Sequence, residues 1–228
     1  MTAPTFTCLI PAYNEAARIG TVLDAVIGHP WVGAVIVIDD GSTDDTAEIA
    51  RAKGAEVTRT AGNLGKTRAL LQGLGRVTSS HIILIDADLT GLTASALTQL
   101  IDPVRTGAAM SAISLRGNAP RTWRFIGLDY ISGERVFPRE ILAGQDEKLS
   151  RLPRFGFEVF LNRMMIARGD PIAIVKWPNV ASPSKVAKRG VLAGLWADVA
   201  MMSDIFRTIG PLDCLQQIRA LRNLRTVR

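Results

Sequence analysis

His81-Ile82-Ile83-Leu84-Ile85-Asp86-Ala87-Asp88-Leu89 is the stretch that decides the fold of this chain. Ile82 to Ile85 form a short apolar run rich in β-branched side chains, the pattern of a strand buried on both faces. The run stops at two carboxylates, Asp86 and Asp88, separated by Ala87. Carboxylates at the C-terminal edge of a parallel sheet lie where α/β proteins bind ligands. In strand geometry residues i and i+2 point to the same side, so the pair converges on one locus. Two such charges repel unless a cation lies between them. Hard Mg²⁺ or Mn²⁺ suits a pair of carboxylates supplemented by substrate phosphates. The alternative is a solvated acidic turn, with Asp88 capping a helix that starts near Thr93.

Working outward, the same alternation recurs. Thr5 to Ile10 is expected as a strand closed by Pro11, followed by a helix over Glu15 to Ile27. Ala34 to Ile38 is a second strand, ending in Asp39-Asp40-Gly41-Ser42. Thr43 is the expected N-cap of a helix reaching Lys53, with Gly54 as its stop. Val57 marks a short third strand, Gly62-Asn63-Leu64-Gly65 a turn, and Lys66 to Leu74 a helix. After the organising strand come a helix over Ala94 to Arg105 and a strand over Ala108 to Leu115. Strands alternating with helices at this spacing predict an α/β fold, with a mostly parallel central sheet and helices on both faces. The first, second and fourth strands end in acidic or amide side chains, which lines one sheet edge with polar groups.

The second half is less regular. Arg116 to Trp123 is expected as a loop, Tyr130 to Pro138 as a strand broken near Gly133, Phe155 to Ala167 as a helix and Pro171 to Trp177 as a last strand. Lys185 to Ile209 carries an amphipathic stripe (Val191, Leu195, Val199, Met202, Phe206, Ile209), and Leu215 to Arg228 repeats the pattern with a more basic face. Two units are therefore expected, residues 1–184 and a helical tail over 185–228.

The 228 residues carry a net charge of +6. Residues 185–228 hold eight basic side chains against three acidic ones, or +5, which leaves +1 for residues 1–184. An anionic partner is therefore sought at the tail. Cys8 and Cys214 are expected as reduced thiols. No signal core or membrane-length apolar run is present, so a cytoplasmic protein is expected, with peripheral attachment to the inner membrane face left open. No GxGxxG, GxxxxGK[ST] or GxSxG motif occurs, and the two histidines, His29 and His81, are expected to be structural. Nucleic-acid binding is not expected, because the tail lacks interleaved aromatic residues. Strand-end carboxylates, a divalent ion and scattered arginines suit a nucleotide diphosphate and its departure as a leaving group.

Four motifs, Leu9-Ile10-Pro11-Ala12-Tyr13-Asn14-Glu15, Val37-Ile38-Asp39-Asp40-Gly41-Ser42-Thr43-Asp44, Asn63-Leu64-Gly65-Lys66 and Asp86-Ala87-Asp88-Leu89, together resemble family 2 glycosyltransferases of GT-A fold. Ser132-Gly133-Glu134-Arg135-Val136-Phe137-Pro138-Arg139 and Phe155-Gly156-Phe157-Glu158-Val159 are similar to the polyprenyl-phosphate (dolichyl-phosphate-type) sugar transferase branch. The resemblance implies that Pro11, Ala12, Tyr13 and Glu15 line a base and ribose pocket with Asp39, and that Asp40 and Lys66 support it. It implies further that Asp86 and Asp88 hold the metal bridging the diphosphate, and that Arg116 and Arg135 face phosphates. Asp88, Arg135 and Glu158 would lie nearest the chemistry, Glu158 either as a base for a hydroxyl acceptor or as a structural residue. The implied reaction is inverting transfer from a UDP- or GDP-linked sugar. A polyprenyl phosphate is the leading acceptor and a small soluble acceptor the alternative; a non-catalytic sugar-nucleotide-binding protein is the rival of another class. Thr90-Gly91 departs from the polar residue the branch often has there. The tail would lie on an anionic membrane surface, with Trp196 at the interface, or pack on the domain or a second subunit as a homodimer.

Overall fold

The computed structural model describes residues 4–153, 156–183 and 209–226. Seven strands form one sheet: β1 (Phe6–Ala12), β2 (Ala34–Asp39), β3 (Glu56–Arg59), β4 (His81–Leu84), β5 (Ser111–Arg116), β6 (Arg135–Pro138) and β7 (Ile172–Trp177), in the order β3-β2-β1-β4-β6-β5-β7. The pairings β1–β2, β1–β4, β2–β3 and β5–β7 are parallel, as the alternation of strands and helices requires. β6 runs antiparallel between β4 and β5. The strand order reverses between β1 and β4, so the crevice at their C-terminal ends is the switch point of the sheet.

The period-2 alternation of each strand sorts its side chains to two faces. Cys8, Ile10, Val37 and Ile83 pack with α1 (Ile19–Val26), α2 (Thr46–Ala52) and α4 (Ala94–Arg105). Leu9, Ile36, Ile38, Ile82 and Leu84 pack with α3 (Lys66–Leu74), α6 (Asp146–Ser150) and α7 (Phe157–Arg168). Between the layers β1 is buried almost throughout, which is why its sequence is a continuous apolar run.

Several local expectations are corrected. The first helix starts at Ile19 instead of Glu15; the Glu15 carbonyl accepts from Arg18 N and Ile19 N, and the preceding residues form a turn. Thr43 does not cap α2. Asp45 holds the N-cap position, and Asp44 Oδ1 accepts from the Thr46 amide (3.2 Å) and hydroxyl (2.5 Å). Asp88 is not the cap of α4: Thr93 is, its side chain accepting from Ala96 N. The 116–123 loop gives way to a short helix, α5 (Arg121–Ile126). The broken strand near Gly133 shrinks to β6, and a 3₁₀ turn follows over Arg139–Leu142.

The amphipathic stripe of Val191, Leu195, Val199, Met202 and Phe206, with Trp196, lies outside the described residues. The last helix, α8 (Pro211–Asn223), is docked on the domain through Ile218, Leu221 and a hydrogen bond from Tyr130 Oη to Gln217 Oε1 (2.8 Å). Ile172 N donates to Leu224 O, and Thr226 N donates to Ile172 O. Residues 209–226 thus pack on the domain, the second of the two placements expected for the tail. Among the described residues no helix is long and apolar enough to cross a membrane. Both cysteines are free. His29 is buried against Thr98 Oγ1 and His81 lies beside Phe6, so neither reaches the polar edge.

Candidate active site

The turns that follow β1 and β2 are locked together before they form any site. Asn14 N donates to Ser42 Oγ (2.9 Å), Thr43 N to Asn14 Oδ1 (2.8 Å) and Glu15 N to Thr46 Oγ1 (2.8 Å). Asn14 adopts a positive φ of 54°, a conformation its short polar side chain tolerates. Pro11, Ala12, Tyr13 and Glu15 therefore present one fixed rim, and Tyr13 is half-buried there.

Asp39 and Asp40 divide the work at the end of β2. Asp40 is the brace: its carboxylate accepts from Leu64 N (2.8 Å), Gly65 N (2.7 Å) and Thr60 Oγ1 (3.1 Å), which fixes the loop before α3. Asp39 is fully buried. Its Oδ1 accepts from Ser42 N (2.9 Å), while Oδ2 has no hydrogen-bond partner among the described residues, although Arg59 Nε stands 3.2 Å away. An unpartnered buried carboxylate oxygen costs free energy unless a ligand or water satisfies it. Arg59 was not singled out in the sequence. The parallel register pairs it with Asp39 at the strand ends, a signal available only once β2 and β3 are aligned.

Lys66 opens α3 and reaches into the edge beyond β4. Its Nζ lies 2.7 Å from Asp86 Oδ1 and 2.7 Å from Glu158 Oε1. Burial works against its charge, but the two carboxylates more than offset that and hold its pKa above the ordinary lysine value. A permanently charged ammonium thus ties the β4 edge to α7, whose first turn supplies Glu158.

The antiparallel register explains the Ser-Gly-Glu-Arg motif. His81 pairs with Pro138 and Leu84 with Arg135, so continuing the register by two residues sets Gly133 opposite Asp86. A Cβ on Gly133 would stand 2.3 Å from Asp86 Oδ2 and 2.7 Å from its Cγ and Oδ1. Glycine is required there by the closeness of the carboxylate. Gly91 has a similar cause: it has φ +73°, and a Cβ would meet the Asn179 carbonyl oxygen at 2.2 Å. The loop after β7 folds against it, with Thr90 bridged to Ala181. The departure at Thr90-Gly91 thus makes room for that loop. The loop in turn brings Ser182, whose hydroxyl donates to Asp88 Oδ1 (3.3 Å) and accepts from Arg116 Nη1 (2.5 Å).

Arg116 ends β5 at the same edge, but its guanidinium is engaged from within. Nη2 donates to Asp129 Oδ2 (3.2 Å), and Nε lies 3.4 Å from Glu134 Oε2. Glu134, fully buried, also accepts from Ser114 Oγ and Ser132 Oγ at 2.9 Å each. Burial pushes the Glu134 carboxyl up, Arg116 draws it down, and the nearby Asp86 charge adds to the rise. Burial opposes the Arg116 charge as well, but Glu134 and Asp129 more than compensate and raise its pKa.

Arg135 does not face phosphates. It is 0% exposed, and its three donor positions are spent on Ser132 O (2.7 Å), Tyr130 O (2.9 Å) and Asn162 Oδ1. Opposite Leu84 in mid-sheet, its side chain points to the α7 layer and staples the 130–132 turn to that helix. It is a structural arginine. The edge therefore gathers Asp39, Asp86, Asp88, Lys66, Glu158 and Arg116, and leaves Arg135 behind it.

Among the described residues no three His, Cys, Asp or Glu side chains form a self-sufficient metal cage. Asp86 and Asp88, two hard oxygen donors on one edge, suit a cation that keeps waters and takes its remaining oxygens from a bound phosphate group.

Fold and edge define an α/β protein of GT-A architecture with a carboxylate-lined crevice at its switch point. The glycosyl transferase family 2 profile matches residues 7–168, and the chain belongs to that family. Solved structures of glucosyl-3-phosphoglycerate synthase from Mycobacterium tuberculosis superpose with TM-scores of 0.70 (with Mg²⁺ and uridine diphosphate, 25% identity) and 0.69 (with Mn²⁺ and UDP-glucose, 26% identity). Each superposition covers 89% of this chain and 79% of that one. A 4,4'-diaponeurosporenoate glycosyltransferase of Staphylococcus aureus is 36% identical over 115 residues, which is 48% of this chain and 31% of the relative. The chain thus spans about a third of that curated relative's length.

Proposed function

We propose that this protein transfers a sugar from a UDP- or GDP-linked donor to an acceptor that is already anionic, with inversion, and that a polyprenyl phosphate is the leading acceptor. The observation that carries the anionic acceptor is the engagement of Glu158. A general base must be free to accept a proton from the acceptor. Glu158, the carboxylate that the resemblance offers for that task, is held 2.7 Å from the Lys66 ammonium. An ionised phosphate or carboxylate needs no such base. The structural neighbour crystallised with phosphoglyceric acid and the relative named for a carotenoid acid are consistent with an acidic acceptor. Phosphoglyceric acid, the small phosphorylated molecule in that neighbour's complex, keeps a soluble acceptor as the second reading.

Asp86 and Asp88 would hold Mg²⁺ or Mn²⁺, which when bound neutralises the departing nucleoside diphosphate. The residues of the chain do the rest. The rim of Pro11, Ala12, Tyr13 and Glu15, locked by Asn14 and Ser42, positions the nucleoside. Asp39 Oδ2, which has no hydrogen bond among the described residues and lies 3.2 Å from Arg59 Nε, would accept from a donor hydroxyl or base N–H. Lys66 and Glu158 fix the orientation of the Asp86 carboxylate. Arg116, through Ser182, fixes that of Asp88.

The test is turnover of UDP-glucose and GDP-mannose with a short-chain polyprenyl phosphate, the matching free polyprenol and phosphoglycerate, each with and without Mn²⁺. Transfer to the phosphates and none to the free polyprenol is the expected result. Transfer to the polyprenol alone would overturn the anionic-acceptor reading.

A further inference from the structure

Phe125 is 94% exposed at the end of α5, and Leu212 and Leu215 are 75% and 65% exposed on α8. Leu215 does not stand alone. A groove of about 540 Å³ runs between Ile126 on one side and Leu215, Arg219 and Arg222 on the other. The Arg225 guanidinium comes within 3.2 Å of where a Cβ on Gly127 would stand. Leu212, Leu215, Arg219 and Arg222 follow i, i+3, i+7, i+10 spacing and share one side of the helix. Gln217 and Leu221, on the other side, are buried in the domain, and Ile218, also buried, lines the groove. The outer side of α8 therefore presents apolar side chains within a rim of arginines, and Arg124 adds a further positive charge from α5. None of these arginines is ion-paired among the described residues.

We propose that this face docks on an anionic lipid bilayer, with Phe125, Leu212 and Leu215 entering the interface and Arg219, Arg222 and Arg225 meeting lipid phosphates. Apolar side chains flanked by long cations whose stems can lie along them are the composition of an interfacial helix. The charge pattern decides against a second copy of the chain. A two-fold contact brings a patch against itself, so arginines would face arginines. Asp213, the acid of α8, sits in the first turn and cannot neutralise the rim. A bilayer supplies many phosphates without fixed register, and exposed apolar patches of this kind mark interaction surfaces.

The chain leaves the sheet edge at Arg116, runs through α5 and returns at Asp129, and those two residues are joined by an ion pair of 3.2 Å. Docking on a bilayer suits the lipid-phosphate acceptor proposed above and rests on that reading only for its purpose; docking is measured without donor or acceptor, so its failure is distinct from failure of that reading.

The experiment is co-sedimentation of the full chain with sucrose-loaded vesicles of phosphatidylcholine, alone and mixed with phosphatidylglycerol, at low and high salt. The wild type is expected to sediment with the mixed vesicles at low salt and to remain in solution with phosphatidylcholine or at high salt. Arg219→Gln and Arg222→Gln should each weaken binding about fivefold. Phe125→Ser/Leu212→Ser/Leu215→Ser should weaken it at least as much as both arginine changes together, with an unchanged melting temperature because all three side chains are exposed. Wild-type protein left in the supernatant of the mixed vesicles would overturn the proposal. So would vesicle binding that none of these variants alters. A dimer in light scattering that the triple variant dissociates, without vesicle binding by the wild type, would assign the face to a second copy instead.

Discussion

Replacing Gly133 by alanine tests the placement of Asp86 without changing any charge. The added Cβ would stand 2.3 Å from Asp86 Oδ2, and ordinary contact begins near 3.4 Å, so the carboxylate must retreat by about 1.1 Å, the difference of the two distances. Asp86 lies at the open edge with a quarter of its side chain exposed, so it can rotate away. The fold should therefore lose no more than about 1–3 kcal/mol, the usual range for overpacking. Function should suffer more, because a displacement of roughly 1 Å in a positioning group can cost about a hundredfold in rate. The retreat also loosens the contact with Lys66, which orients the same carboxylate. The assay is a urea melt alongside metal-dependent donor turnover. A hundredfold loss of turnover with a folded protein is expected. Turnover and metal dependence like those of the wild type would refute the reasoning.

The other predictions separate structure from chemistry. Arg135→Met leaves Asn162 Oδ1 and the Ser132 carbonyl without their donor in the core, while the Tyr130 carbonyl keeps Asn162 Nδ2, so chemical denaturation should show a loss of about 3–5 kcal/mol; normal stability with abolished turnover would restore Arg135 to the reacting edge. Glu158→Gln keeps the size of the side chain and an acceptor for Lys66, so transfer to a phosphate acceptor should fall less than about tenfold, whereas loss of a general base costs roughly 10²–10⁴. Burial pushes the Cys8 thiol far up and the Cys214 thiol up as well, so both hold less thiolate at pH 8 than an ordinary cysteine. Alkylation by iodoacetamide should therefore be slow in the native protein and fast in denaturant. Rapid labelling of native Cys8 would contradict its burial.

The alternation of strands and helices and the polar edge were legible because they rest on short-range signals. Short apolar runs, each followed by acidic or amide side chains, announced β1, β2 and β4, and the edge they share is where Asp39, Asp40, Asp86 and Asp88 lie. Asp40 was read as a support and is one, through Leu64 and Gly65. What escaped was set at long range. The direction of β6 cannot be inferred from its own residues, yet the antiparallel register places Gly133 against Asp86 and turns Arg135 into the core. Arg135 resembled a phosphate ligand because an arginine between Glu134 and Val136 carries no mark of burial; its partner Asn162 lies 27 positions away. Ser182 escaped for the same reason, since it reaches Asp88 across 94 positions through a loop with no motif of its own. At α2 the error was local: Thr43, Asp44 and Asp45 are all competent near a helix start, and the bonds of Asp44 to Thr46 and Ala16 decided between them.

Thermal stabilisation by UDP- and GDP-linked sugars, with and without Mn²⁺ or Mg²⁺, in wild-type and Asp88→Ala protein tests the central claim most directly. A ligand that binds only the folded state stabilises it by RT ln(1 + [L]/Kd) and so raises the melting temperature. The account predicts a rise for one nucleotide sugar that requires the metal and disappears in Asp88→Ala, while the variant alone melts like the wild type. A rise that persists without metal or survives in Asp88→Ala would contradict the assignment of Asp86 and Asp88.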